Sequence, residues 1–306
     1  MNMYFPTDSS KKYPGLERVL HILTQKRDDL KDSNYSSKFT SQQIQAIREG
    51  VLRAHDNELR KKGGYYINEH LVPMAEKSIE LGVVPAVTGG ILLHDTIEDT
   101  DKDAYTLKTP TLGNRNLGIL RESLRRVDFP KSDRRLIVAL CGILTKLSNE
   151  EIQTIYGPNL DEFQLSEMRF YSKIERALGS NDWRDDSFFN NNVGVSHRFG
   201  AQICAFLDID DNYDPDEEID VLRYNEEIVR RFEQNKPRNL RRALIQGKKL
   251  DISIRKLSQR PDCKIDIKKY DSFVKNYYLK KLEKGLERTS PKKLGISRDI
   301  LRYWNL

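Results

Sequence analysis

Apolar residues recur at helical spacing through most of this chain, and that period limits its fold more than any other feature. In residues 41–62, Ile44, Ile47, Val51, Ala54 and Leu59 recur at near-helical spacing with charged residues between them, and residues 131–147 carry another apolar stripe. No segment shows the strict alternation of a half-buried strand. The sequence therefore predicts an all-α protein, with further helices at residues 68–81, 85–98, 163–178 and 197–209.

The charge balance changes after Asp214-Pro215. From Asp216 to the end, 24 Lys and Arg oppose 14 Asp and Glu, a net charge of +10, whereas the preceding residues carry −4. The apolar faces of this part favour packing over a loose tail. We therefore predict a first domain, residues 1–215, and a basic helical extension, residues 216–306, packed on it. Its three helices are expected at residues 217–234, 239–258 and 265–288.

Two interpretations of the basic extension stay open. Its Lys and Arg side chains either form a solvated face, or they attract an anionic partner such as a nucleic acid or an acidic protein.

Cysteine usage and hydropathy predict a cytoplasmic protein. The three cysteines, Cys141, Cys204 and Cys263, form no CxxC pair, which favours reduced thiols. The longest apolar run, residues 83–93, is interrupted by Pro85 and is too short to span a bilayer, and the first residues lack the order of a signal peptide. We therefore expect no membrane partner.

The segment ILLHDTIEDT, residues 91–100, carries the strongest chemical signal. His94 and Asp95 lie at the end of an apolar run. Glu98 follows His94, and Asp99 follows Asp95, by one helical turn. Four ionisable groups within two turns would repel one another in a plain core, and a divalent cation in an open cleft relieves that conflict. The alternative is an exposed acidic helix end with a surface histidine.

Three more segments complete an ordered pattern: HDNELRKKGGYYINEH at residues 55–70, LTKLS at 144–148 and DIDDN at 208–212. Together with HDTIEDT they resemble the hydrolase domain of the RelA/SpoT alarmone proteins. That family carries an HxGQxRxxGxxYxxH-like segment, then HDxxEDT, TKL and LADxxxN. The resemblance covers roughly residues 40–213 and implies an HD-domain phosphohydrolase, a helical bundle, here with additional C-terminal helices.

The sequence departs from the family pattern at several positions. One extra residue precedes His70, Asn57-Glu58 replaces Gly-Gln, and Phe206-Leu207 stands where Leu-Ala is usual. The connections between the second, third and fourth motifs are longer than usual, and no synthetase half is recognisable. The chain thus resembles a stand-alone small alarmone hydrolase.

The resemblance implies a set of metal ligands, namely His70, His94, Asp95 and Asp208. Two imidazoles and two carboxylates suit Mn²⁺, Fe²⁺ or Zn²⁺ better than Mg²⁺ or Ca²⁺. The resemblance favours Mn²⁺, one ion per active site. Each ligand taken singly also fits a structural role, such as a core histidine or a carboxylate at a helix end.

The resemblance also implies catalytic and substrate-binding residues. Glu98 and Asp99 are expected to orient or deprotonate the attacking water. The expected substrate contacts are Arg60, Lys61, Tyr66, Lys146 and Asn212, although Tyr66 and Lys146 also fit structural roles.

The reaction implied is removal of the 3′-pyrophosphate of guanosine 3′,5′-bispyrophosphate, with release of pyrophosphate and GDP or GTP. A guanine nucleotide is therefore the expected partner. Three alternatives stay open: an HD phosphohydrolase of another nucleotide, such as an adenine alarmone or a deoxynucleotide; a degenerate HD module that binds nucleotide or nucleic acid; and a helical interaction protein. The last leaves the four ordered motifs unexplained.

Overall fold

The architecture is helical throughout the part of the chain that this computed structural model describes. Outside the helices, that part contains a single isolated antiparallel bridge, between Leu59 and Tyr65. The prediction of an all-α protein is confirmed. The described residues are 9–28, 30, 34–60, 64–96, 117–145, 147, 149–179, 195–219, 225–260 and 266–306.

Two of the helices are preceded by a π-helical turn. These turns are Ile67–Leu71, before α4, and Val274–Tyr278, before α13. In chain order the helices are α1 Ser9–Lys12, α2 Pro14–Thr24, α3 Ser41–His55, α4 Val72–Glu80, α5 Pro85–Leu93, α6 Leu117–Arg126, α7 Lys131–Leu144, α8 Asn149–Tyr156, α9 Glu162–Leu178, α10 Val195–Asp211, α11 Glu226–Ser258, α12 Ile267–Phe273, α13 Leu279–Arg288 and α14 Arg298–Trp304.

Helix α5 is the central helix, since all nine of its residues are buried. Its two glycines permit this position. A Cβ added at Gly90 would lie 2.8 Å from Leu140 Cδ2, so α5 approaches α7 more closely than a side chain allows. A Cβ at Gly89 would meet Ile47 at 3.2 Å. The close packing fixes the end of α5, where the His-Asp pair follows.

One predicted boundary in the basic extension is wrong. The sequence predicts separate helices at residues 217–234 and 239–258, but α11 is one helix of 33 residues with Pro237 inside it. Residues 217–219 are not helical. Proline removes one backbone donor from the helix. None of residues 233–239 is buried, so water can satisfy the carbonyl that loses its partner.

The C-terminal helices share a continuous core with the helices before them. The ring of Phe206 on α10 lies 5.6 Å from that of Tyr270 and 4.5 Å from that of Tyr278, centroid to centroid. The carboxylate of Asp210, which is completely buried, accepts from Lys77 of α4 at 2.7 Å and from Lys281 of α13 at 3.0 Å. The basic extension therefore contacts the preceding helices through apolar packing and buried ion pairs. The boundary at residue 215 stays a prediction.

Within the described ranges, no helix is both long and apolar enough to cross a bilayer.

Candidate metal centre and its pocket

The end of helix α5 places two chemically active side chains in the core. His94 follows Leu93 as the C-cap residue, and both His94 and Asp95 are buried. His94 Nδ1 lies 2.7 Å from the carbonyl oxygen of Ile91. Because a carbonyl oxygen only accepts, Nδ1 donates this hydrogen bond, which leaves Nε2 as the ring atom that could bind a metal ion. That Nε2 lies 3.0 Å from Asp95 Oδ2.

His70 reaches the same point from the π-helical turn before α4. Its Nδ1 lies 2.7 Å from Asp211 Oδ2, and its Nε2 lies 3.6 Å from Asp95 Oδ2. Asp211 therefore fixes the ring so that Nε2 faces Asp95, the arrangement in which a carboxylate orients a metal-binding histidine. A π turn holds one more residue than an α turn. His70 lies in this wider turn and faces the cluster.

The donor atoms of His70, His94 and Asp95 fit a shared cation. One ligand atom from each lies within 4.8 Å of the other two. Ligands held about 2.0–2.2 Å from one ion lie roughly 3–4 Å apart, so the cluster needs only a small contraction. Among the described residues, His94 Nε2 and Asp95 Oδ1 are buried without a hydrogen-bond partner. Buried acceptors without a donor are costly, and a divalent ion removes that cost.

Asp208, the fourth predicted ligand, lies beside the cluster. Its Oδ1 is 3.6 Å from His70 Nε2, while its Oδ2 accepts from Lys173 Nζ at 2.9 Å. Asp208 and Lys173 are both buried. One oxygen of Asp208 therefore faces His70, and the other is held by a cation of the protein itself.

The surroundings of the cluster favour positive charge. Burial lowers the pKa of His70, but the hydrogen bonds to Asp211 and Asp95 outweigh burial and raise this pKa to about 9. Burial raises the pKa of Asp208, but the charges of Lys173 and His70 outweigh that effect and lower it to about 2. The carboxylates thus stay ionised and hold a proton on His70, with which a metal ion would compete.

The first motif supports the cluster from one side. Tyr66 donates its hydroxyl proton to Asp95 Oδ2, and its ring stacks on His55 with centroids 4.8 Å apart. His55 Nδ1 lies 2.6 Å from Glu58 Oε2. Asn57 has φ 65°. Asparagine is one of the few residues besides glycine that tolerate this left-handed conformation.

Arg60 and Asn212 contact carboxylates of the predicted metal site. Arg60 donates to Asp211 Oδ2 at 3.0 Å and to Asn212 Oδ1 at 3.1 Å. Asn212 Nδ2 donates to Asp208 Oδ1 at 2.8 Å. Both side chains therefore orient the cluster. The substrate contacts expected for Arg60, Asn212 and Tyr66 stay predictions.

Four of the predicted site residues lie outside the described residues. They are the two catalytic carboxylates, Glu98 and Asp99, and two predicted substrate contacts, Lys61 and Lys146.

A pocket of about 420 Å³ opens onto the cluster. One part of its lining, here called the inner wall, consists of His70, Asp95 and Asp208. Four basic side chains also line it, and three of them come from helices α9 and α11, namely Arg169, Lys173 and Arg242. The full lining is Arg60, Tyr66, His70, Asp95, Ser166, Arg169, Phe170, Lys173, Asp208, Ile209, Asn212, Asn239 and Arg242.

Sequence reasoning missed several of these residues. Asp211 could have been found, since it lies in the DIDDN motif and faces the same side of α10 as Asp208. Lys173, Arg169 and Arg242 lie in ordinary amphipathic segments, where charged residues usually form a solvated face. Only the packing of α9 and α11 against α10 reveals their place in the pocket.

No family model, curated protein or solved structure matches this chain.

Proposed function

We propose that this protein is a metal-dependent phosphohydrolase of the HD type that removes pyrophosphate from the 3′ position of guanosine 3′,5′-bispyrophosphate. The observation that carries the proposal is the meeting of His70, His94 and Asp95 beside a pocket that His70 and Asp95 line together with four basic side chains. Buried ligand atoms without donors favour a cation, and the basic lining favours a polyanionic substrate. The resemblance of the four ordered motifs supplies the choice of nucleotide.

The proposed ligands are His70, His94, Asp95 and Oδ1 of Asp208, the oxygen that faces His70. Imidazole and carboxylate donors suit Mn²⁺, Fe²⁺ or Zn²⁺, and the resemblance favours Mn²⁺. At such a site a divalent ion supplies polarisation of a phosphoryl oxygen and a lowered pKa of water.

The chain's own residues would orient the ligands and transfer protons. Asp211 holds the ring of His70, and Asn212 holds Asp208. Glu98 and Asp99 are proposed to accept the proton of the attacking water and to return one to the ribose oxygen. In the proposed reaction the bond between the ribose 3′ oxygen and phosphorus breaks, and the water oxygen stays on the pyrophosphate.

A substrate panel tests the proposal. The full chain loaded with Mn²⁺ is incubated with guanosine 3′,5′-bispyrophosphate, its adenosine counterpart and a deoxynucleoside triphosphate, and pyrophosphate or triphosphate release is measured. Asp95→Asn, which keeps the shape of the side chain, controls for contaminating hydrolases. We expect release from the guanosine compound that is lost in Asp95→Asn.

Other outcomes separate the alternatives. Release from the adenosine or deoxynucleotide compound alone would keep the HD chemistry and replace the substrate. Binding of a nucleotide without release would support a degenerate module. Equal release by Asp95→Asn would refute the assigned site.

A further inference from the structure

The pocket has two walls of different charge. Around the metal cluster, Asp95, Asp208 and Asp211 oppose the cations Arg60 and Lys173. The outer wall is the part of the pocket that Arg169 of α9 and Arg242 of α11 line, and Arg238 of α11 pairs with the same carboxylate, Glu167, as Arg242.

The outer wall carries excess positive charge. Glu167 is the carboxylate that these arginines share: its Oε1 accepts from Arg242 at 2.6 Å and also from Arg238. Arg169 donates instead to the neutral side chain of Asn149. Two guanidinium groups thus share one carboxylate, and with Arg169 these four side chains carry two net positive charges.

Donor atoms on this wall lack acceptors. The Nε atoms of Arg169 and Arg242 are buried and have no hydrogen-bond partner among the described residues. The Arg242 guanidinium is fixed over the ring of Phe170, 4.2 Å from its centroid. A buried donor without an acceptor is costly, and a phosphate oxygen removes that cost while pairing with the charge.

Helix α11 is tied to the helix that carries Asp208. Asn239, three residues before Arg242, donates its side-chain proton to the backbone oxygen of Asn212 at 2.8 Å. Asn212 in turn holds Asp208. The outer wall and the metal cluster are therefore linked by consecutive hydrogen bonds, which favours a fixed spacing between them.

We propose that α9 and α11 form a second phosphate-binding subsite, in which Arg169 and Arg242 hold the 5′-diphosphate of the nucleotide while its 3′-diphosphate lies at the metal cluster. The identity of the nucleotide rests on the proposed function, but the subsite itself rests on the arginines. The basic extension is then part of the substrate pocket, and the pocket selects nucleotides with phosphate groups at both ends.

Binding of GDP to the metal-free full chain tests the subsite. With EDTA present, the inner wall holds no metal that could attract the diphosphate. We expect GDP to bind, and Arg242→Gln and Arg169→Gln each to weaken its affinity about tenfold or more, since each removes a charge-assisted hydrogen bond. Arg230→Gln, an exposed arginine on the same helix, is the matched control and should change the affinity less than twofold.

Kinetics give a second readout that a purely structural role would not produce. For guanosine 3′,5′-bispyrophosphate, Arg242→Gln should raise KM about tenfold with little change in kcat. For guanosine 3′-diphosphate without 5′ phosphates, the wild type and Arg242→Gln should share the same KM. Arg242→Lys keeps the charge but loses the forked donor. For guanosine 3′,5′-bispyrophosphate, its KM should therefore lie between those of the wild type and Arg242→Gln.

The results distinguish this inference from the proposed function. Failure of GDP to bind the wild type at millimolar concentration would refute the subsite, and so would unchanged binding in both folded glutamine variants or an equal loss in Arg230→Gln. GDP binding that depends on Arg242, without pyrophosphate release from any compound, would keep the subsite and refute the proposed reaction.

Discussion

Replacing Asp211 with Asn removes the charge behind His70 while keeping an oxygen that can accept its proton. The carboxylate is buried, with its side chain 8% exposed, and its Oδ2 lies 2.7 Å from His70 Nδ1. It also accepts from Arg60 at 3.0 Å. The substitution therefore weakens the hydrogen bond that orients His70, a proposed ligand. It also leaves Arg60 without its ionic partner.

The expected loss is a tenfold to hundredfold weaker affinity for Mn²⁺. Partners that orient a metal-bound histidine typically contribute that much, which corresponds to roughly 1.4–2.8 kcal/mol. Burial of both side chains places the value toward the upper end, because neither water nor salt screens the pair.

Equilibrium dialysis against Mn²⁺, with the metal content of the protein measured by mass spectrometry, gives the affinity. Asp216→Asn is the control, since that carboxylate also pairs with two cations, Lys284 and Arg288, but is 52% exposed. Exposed pairs contribute little, so the control should bind Mn²⁺ like the wild type. An unchanged affinity in Asp211→Asn would refute the idea that this carboxylate orients a metal ligand.

Three further predictions follow from buried groups. Lys173→Met should lower the metal-free protein's free energy of unfolding by about 3 kcal/mol, because it leaves Asp208 buried without the Lys173 cation. In a thermal melt, added Mn²⁺ should restore part of the lost stability. Burial raises the pKa of Cys141 and Cys204, so iodoacetamide at pH 8 should label them only after unfolding, as peptide mass spectrometry would show; rapid labelling of the native chain would contradict their burial. Truncation after Pro215 should give a fragment that aggregates or lacks a cooperative melt, because the core shared with α11–α14 is exposed; a soluble, cooperatively folded fragment would contradict that dependence.

Local sequence signals predict much of the helical structure. The capping box of Thr40 and Gln43 opens α3, and Gly179 in the left-handed conformation ends α9, as short-range chemistry leads one to expect. The predicted break between residues 234 and 239, which contains Pro237, is wrong, because α11 continues through a stretch whose exposure depends on tertiary packing.

Some features of the candidate site can likewise be predicted from local sequence, and others depend on tertiary packing. The spacing of His94 and Asp95, and their position at the end of an apolar run, can be predicted from neighbouring residues alone. The meeting of His70 with Asp95 depends on how α4 packs against α5, and the resemblance to a known pattern supplied that expectation. No pattern pointed to Arg242, because its place in the pocket depends on contacts between residues far apart in the chain.

Metal stoichiometry in the wild type and in His94→Ala tests the central claim most directly. The full chain is dialysed against micromolar Mn²⁺, and bound metal is measured together with helical content by circular dichroism. We predict one ion per wild-type chain and almost none in His94→Ala, with helical content unchanged. A wild type that binds no Mn²⁺, Fe²⁺ or Zn²⁺, or a His94→Ala variant that binds as much as the wild type, would contradict the account.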